Sequence, residues 1–401
     1  MKHEFVGKEM VLLLLLMSIV IGFPRLEKYN WFPSSVFAVI LGMFVSLCGG
    51  TSIKFTSEVF LYLMLPPILF HSSFKFKIES LRSSWLSSTM FSWFGTMTSV
   101  LLIAWGIMVW TSGTPVSMSI VEAFLFASIL APTDTVATIS LSKSLRSGDD
   151  NNLVLEVLEN ESVMNDAISV VLVRLFSSIL ESHQQLDRWV PMEVMLLSVV
   201  YSSIAVAWGY LAAMIMNRLK ITDMTIHYMV ALMVYASCEC VDISGILGLF
   251  VYGSVSKVPA NVSESIGSLS VMIESCVYLM LGLSLHTYDW QTFGLSFLVL
   301  VSCIVARVLS VFMLGGILRC FGREVWTLRS LLFFSMCGVR GAISFALCQG
   351  TNNTFMKSTT FVVIVCTIIG MGSLQKCMFK LLIGRTEPFR TIKELMVSVH
   401  V

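Results

Sequence analysis

Apolar residues run through this chain in blocks of about twenty, separated by short polar stretches that hold most of the lysines, arginines and prolines. Because roughly 20 residues at 1.5 Å rise cross the hydrocarbon of a bilayer, such blocks predict membrane-spanning helices. About thirteen are expected, at roughly 8–23, 34–50, 57–74, 84–111, 118–143, 153–182, 191–217, 225–241, 243–256, 266–285, 292–318, 328–350 and 358–383. Two of the blocks carry a break inside the apolar run, at Pro132 and at Cys337-Gly338-Val339-Arg340-Gly341. A third, at Pro66-Pro67, reads as a kink whose freed carbonyls need partners inside protein.

Composition agrees with that pattern. Of 401 residues, 56% are hydrophobic and 13% charged, where a soluble domain carries about 25% charge. The fold class expected is therefore an all-α polytopic membrane protein. The net charge of +1 argues against nucleic acid as a partner. Ten cysteines lie mostly inside apolar runs with no CxxC pair, which reads as reduced thiols rather than disulfides. The first block lacks a small-x-small cleavage site and is read as a helix, not a removed leader. No cofactor is expected, and no phosphate-binding glycine loop is present.

Charge placement orients the helices. Connections on one side hold 18 Lys and Arg and those on the other hold 5, so the positive-inside rule places the N-terminus outside and the C-terminus in the cytoplasm. The breaks at Pro132 and Gly338–Gly341 lie seven spans apart. Two six-helix halves around the seventh helix would then have opposite orientation, giving two inverted repeats with two broken crossing helices.

The stretch from Leu153 to Ser182 carries Glu161, Ser162, Asn165 and Asp166 near its middle. Ser162 and Asp166 share one helix face, and Glu161 and Asn165 the next. An ionised group at mid-membrane costs about 2.5–3.5 kcal/mol even on a lenient scale, so these residues point to function. A carboxylate shielded from water holds either a proton or a cation, and Asp166 is read as that group. In Ala131-Pro132-Thr133-Asp134, freed carbonyls with Thr133 and Asp134 are hard oxygen donors for a small cation; the plainer reading is a proline kink with Asp134 hydrogen-bonded to neighbours. Ser162 reads either as a further donor or as an intrahelical hydrogen bond. Arg340 needs a carboxylate, and Glu161 with Asn165 presents one; Glu161 as a second proton carrier is the rival. Arg307 and Glu274 read as a structural ion pair, and Glu239 and Asp242 are also assigned to structural pairing. Arg174 reads as snorkelling to the interface, His71 as a capped or interfacial residue. Glu156 and Glu159 serve either as a cation funnel or as partners of the helix dipole. Asn261 matches a glycosylation sequon on the side assigned to the cytoplasm, and is discounted.

These motifs resemble a known family. ENESVMNDAISVVL is similar to the GESLLNDAVSVVL helix of the eukaryotic sodium/proton exchangers, in the monovalent cation/proton antiporter superfamily. APTDTVAT resembles that family's ATDPVA break and CGVRGAISFAL its GLRGAIAFAL, with LMLPPILF, ASCECVDISGI, VMIESCVYLMLG and IVARVLSV as further signposts over about 57–350. The sequence departs from the pattern at Thr135, where the family has proline, and at Asn160, where it has glycine. The resemblance implies a homodimer with a scaffold part (about 8–111 and 225–285), a moving transport core (about 118–182 and 292–383) and a linking helix at 191–217. It implies Asp166 as cation and proton carrier, with Asp134, Thr133, Ser162 and Glu161 near the ion, Asn165 and Arg340 holding the site, and Arg307 with Glu274 tying helices together. The Asn165-Asp166 pair resembles the electroneutral branch, implying one Na⁺ (or Li⁺ or K⁺) per H⁺, elevator-type movement and a part in intracellular pH and sodium homeostasis. No soluble regulatory tail is expected. Two alternatives from the residues are an intramembrane aspartyl protease using Asp134 and Asp166, and a channel without proton coupling.

Overall fold

The computed structural model describes residues 17–19, 22, 34–48, 60–75, 85–134, 153–182, 190–221, 223–241, 243–257, 260–287, 292–321 and 326–382. Among them the regular structure is entirely helical. The span expected at 8–23 and the second half of the span at 118–143 lie almost wholly outside the described residues, as do Thr135 and Asp242.

In chain order the helices are α1 (Ser34–Leu47), α2 (a π turn at Phe60–Met64 running into Leu65–Lys75), α3 (Trp85–Thr111, with a π turn at Met90–Phe94) and α4 (Ile120–Leu130). There follow α5 (Leu153–Ser182), α6 (Val190–Leu219), α7 (Met224–Glu239), α8 (Gly245–Val255) and α9 (Ala260–Leu283). The last are α10 (Phe293–Cys320), α11 (Leu328–Met336), α12 (Ala342–Gln349) and α13 (Thr354–Thr367, a π turn at Ile368–Gly372, then Ser373–Leu382). The apolar run at 225–256 is two helices, as its pattern predicts, and α11 and α12 are the halves of the broken span at 328–350. Six described helices are long and apolar enough to cross a membrane: Trp85–Thr111, Val154–Glu181, Val199–Leu219, Ser265–Leu283, Phe293–Cys320 and Thr354–Gln375.

Short polar residues set where helices begin. Ser119 and Glu122 form a reciprocal capping box at the start of α4, and Asp223, Ser244, Thr327 and Asn353 cap α7, α8, α11 and α13 through their side-chain oxygens. Proline sets where α4 ends, since Pro132 offers no amide to continue the ladder. At Pro66-Pro67 the helix continues, and the wider π turn immediately ahead accommodates two rings that would clash with carbonyls one turn back.

The apolar stripes sort into an inside and an outside. α10 exposes Phe297, Val301, Val305 and Leu309 at every fourth position and buries Cys303, Ser310 and Leu314. α6 exposes Ile204, Trp208, Leu211 and Ile215. Large apolar side chains left outside in helical register are what a lipid-facing surface requires. Inside, one core is shared by α1, α2, α7, α8 and α9 and extends onto α12 and α13. A second is shared by α3, α4, α5 and α10.

The α1–α9 crossing is backbone against backbone. A Cβ built on Gly42 would lie 2.4 Å from the carbonyl oxygen of Leu279, and one on Gly282 would lie 2.4 Å from that of Val39. Hydrogen is the only side chain that fits at either position, the small-residue packing by which helices associate in lipid. Gly42→Val is expected to lower the thermal unfolding midpoint of the purified protein, at a cost of about 2 kcal/mol or more. Gly316→Val, on α10 with nothing within 4 Å, should leave the midpoint nearly unchanged.

Candidate functional site

The two broken segments meet. The backbone amide of Asp134 donates to the carbonyl of Val339 at 2.7 Å, joining the unwound end of α4 to the turn between α11 and α12. Where α4 stops, the carbonyls of its last turn have no following amides to accept from. Arg340, 1% exposed, answers them: Nη1 donates to the Ala131 carbonyl at 2.5 Å and reaches that of Pro132 at 3.5 Å. A guanidinium there also faces the negative end of the α4 dipole. Its own backbone amide donates to Thr367 Oγ1 at 3.1 Å, just ahead of the π turn in α13. Gly341 allows the close approach, because a Cβ on it would lie 2.4 Å from Asp134 Cβ.

Helix α5 runs alongside this junction and is stitched to it. Asn165 Nδ2 donates to Thr133 Oγ1 at 3.1 Å and to the Ala131 carbonyl at 3.4 Å. Its Oδ1 accepts from Thr96 at 3.1 Å and Ser169 at 3.2 Å, so both ends of the amide are used. Ser162 Oγ donates to the Thr133 carbonyl at 3.0 Å, a bond across to the break rather than within its own helix. Asp166 is 8% exposed, and its charged neighbours are Asp134 and Glu161. Among the described residues, no donor hydrogen-bonds its carboxylate. Asp134 accepts a hydrogen bond at Oδ2 from the hydroxyl of Tyr278, 2% exposed on α9.

The sequence pattern put Thr133, Asp134, Glu161, Ser162, Asn165, Asp166 and Arg340 in one place, and the structure brings them together. The arginine pairings differ from those expected. Glu161 pairs with Arg307, not Arg340: Nη1–Oε1 is 2.7 Å and Nη2–Oε2 is 3.0 Å, with both side chains nearly dry at 7% and 1% exposure. Arg307 also reaches the Phe334 carbonyl at 3.5 Å and lies over its ring at 5.1 Å, while a Cβ on Gly338 would press on its Cγ at 2.8 Å. Its fork is therefore spent on Glu161 rather than Glu274, which lies near Tyr278. The physical reason is supply: chain ends at the break offered Arg340 carbonyls, leaving the carboxylate to the arginine of α10.

Arg174, expected to reach for the interface, forms an ion pair. It bonds both oxygens of Glu239, at 2.5 and 2.6 Å, and Glu239 also accepts from the first amide of α8 at 3.0 Å. Glu239 is thus in a structural ion pair, the role assigned to it. His71 is buried against α9 at Gly267. Glu156 and Glu159 sit half-buried in the first turns of α5. Sequence reasoning missed Tyr278; its signal was a hydroxyl one helical turn after Glu274 inside an apolar run. Among the described residues, no cluster of three or more His, Cys, Asp or Glu could hold a resident metal. Thr133, Asp134, Ser162 and Asp166 instead offer hard oxygens of the kind that bind an alkali cation transiently. Glu161→Gln, which strands a buried guanidinium, should cost about 3–5 kcal/mol of stability. Glu161→Gln combined with Arg307→Met should recover much of that loss in the thermal midpoint and the yield of folded protein.

Comparison with known proteins places this arrangement. The model of the family described as "Sodium/hydrogen exchanger, transmembrane" matches residues 11–381. Sodium/hydrogen exchanger 8 of Mus musculus is 25% identical over 390 residues, covering 86% of this chain and 66% of that protein. Sodium/hydrogen exchanger 1 of Dictyostelium discoideum is 28% identical over 378 residues, covering 85% and 55%. The chain thus spans just under two thirds of the first of these and about half of the second. The sodium proton antiporter MjNhaP1 of Methanocaldococcus jannaschii has the same fold, with a TM-score of 0.73 at 17% identity over 95% of this chain and all of that one. With matching motifs, a multi-pass helical architecture and a family match over nearly its whole length, this chain belongs to the sodium/hydrogen exchanger family.

Proposed function

We propose that this protein is a secondary antiporter exchanging a monovalent cation, Na⁺ in the first instance, for H⁺ across a membrane, with Asp166 as the group that carries each in turn. The observation that carries this reading is the Asp166 carboxylate itself. It is buried beside two unwound segments, and no donor among the described residues satisfies it. A carboxylate so placed is stable only with a proton or a metal cation on it. The exchange balances as Asp166–COOH plus Na⁺ giving Asp166–COO⁻·Na⁺ plus H⁺.

Charge supports a one-for-one ratio. Among the described groups around Asp166, Glu161 and Arg307 cancel and Arg340 offsets one of Asp134 and Asp166, which leaves one negative charge to balance. A single proton or a single Na⁺ balances it, which makes each half of the cycle electrically equivalent. Asp134, Thr133 and Ser162 complete the oxygen set in this reading. Asn165 and Arg340 hold the break open, and Glu161 with Arg307 braces α5 against α10. The helices carrying these groups, α4, α5 and α10 to α13, form the transport core. It moves against a scaffold of α1 to α3 and α7 to α9, with α6 linking the two. Homodimer formation, an external N-terminus and a part in pH and sodium homeostasis complete the proposal.

The aspartyl-protease reading gains nothing from the site, because the Tyr278 hydroxyl bonds Asp134 where a shared proton would be needed. In proteoliposomes holding a pH-sensitive dye, an imposed Na⁺ gradient should drive proton movement. Asp166→Asn should reduce that movement to the level of protein-free vesicles. Proton movement that survived the substitution would remove Asp166 from the carrier role, and conduction of Na⁺ without protons would favour the channel.

A further inference from the structure

Tyr278 reaches the site from outside the helices that carry it. It stands on α9, whose backbone is packed directly on α1 at Gly282 and Gly42, one turn beyond the tyrosine. Its buried hydroxyl touches both broken segments, donating to Asp134 Oδ2 in the first and lying beside the backbone amide of Ala342 at the start of the second. Glu274, one turn earlier on α9, is the other charged group near it. A hydroxyl that donates to a carboxylate oxygen takes up one of the carboxylate's four lone-pair sites and weakens the negative charge that oxygen offers a cation. Hydrogen and cation therefore cannot share that site.

We propose that Tyr278 is a positioning residue that tunes cation affinity: its hydroxyl competes with an alkali cation for Asp134 Oδ2, and so limits how tightly Asp134 and Asp166 hold the cation together. This rests on the exchange reading for the identity of the cation. Its geometric basis, a neutral donor occupying one of two facing carboxylates, does not depend on proton coupling. Phenylalanine would fill the same space without the hydrogen. Losing the competitor should tighten cation binding, whereas damage to packing would weaken it.

The test uses purified full-length protein. In detergent, the Na⁺ concentration giving half of the Na⁺-induced thermal stabilisation should fall on the order of fivefold in Tyr278→Phe, the worth of about one net hydrogen bond. In proteoliposomes the KM for Na⁺ should fall by the same factor at two different pH values while the maximal rate changes little. The proton competes at Asp166 and the hydroxyl at Asp134, so the two effects multiply independently. Tyr278→Met, which also removes the hydroxyl and fills the space with a flexible apolar chain, provides a second variant should the first not fold. An unchanged or raised half-point in these variants would overturn the proposal. If the unmodified protein bound Na⁺ yet moved no protons, the exchange reading would fail, and the binding titration would still decide the role of Tyr278.

Discussion

Backbone groups left without partners in the middle of a membrane are the constraint to which the rest of this structure answers. Ending α4 at Pro132 and interrupting the span at Gly338–Gly341 strips amides and carbonyls from two helices in buried positions. Each orphan costs several kcal/mol in hydrocarbon unless it is answered. The amide of Asp134 finds Val339, the carbonyl of Ala131 finds Arg340, and that of Thr133 finds Ser162. Once those needs are met, Asp166 is held next to the junction with no donor on its carboxylate among the described residues.

The two buried arginines therefore have separate duties. Arg340 serves main-chain carbonyls, with no carboxylate partner among the described residues. Arg307 serves Glu161 and cancels it. A bidentate pair shielded from water gives little net stability but penalises strongly the loss of either partner, so it fixes how α5 and α10 sit together. Without it, a third acidic group would stand beside Asp134 and Asp166.

Much of this was readable from the chain. The polar face of Leu153–Ser182 and the two breaks identify themselves because each violates what a lipid-spanning segment ordinarily contains. Approximate helix limits followed from apolar length and the polar stretches between the runs. What could not be read was which arginine meets which acid. Residue spacing fixes a face on one helix but not the rotation of that helix against another, so Arg307 and Arg340 were interchangeable on paper. The partner of Arg174 escaped for a similar reason, since it lies 65 positions along the chain on α7. Tyr278 escaped because a tyrosine in an apolar run looks like a membrane-surface anchor until its hydroxyl is seen to have a recipient.

The glycine seam between α1 and α9 carries a consequence for how this family member can vary. With two hydrogens as the only side chains that fit there, the helices behave as a single stiff post, and the ring of Tyr278 is mounted on it a turn away. Any drift in that mounting would shift the hydroxyl against Asp134 and retune the site from a distance. In the proposed cycle, substitutions along the post would act on the cation site while the acidic centre itself stays untouched.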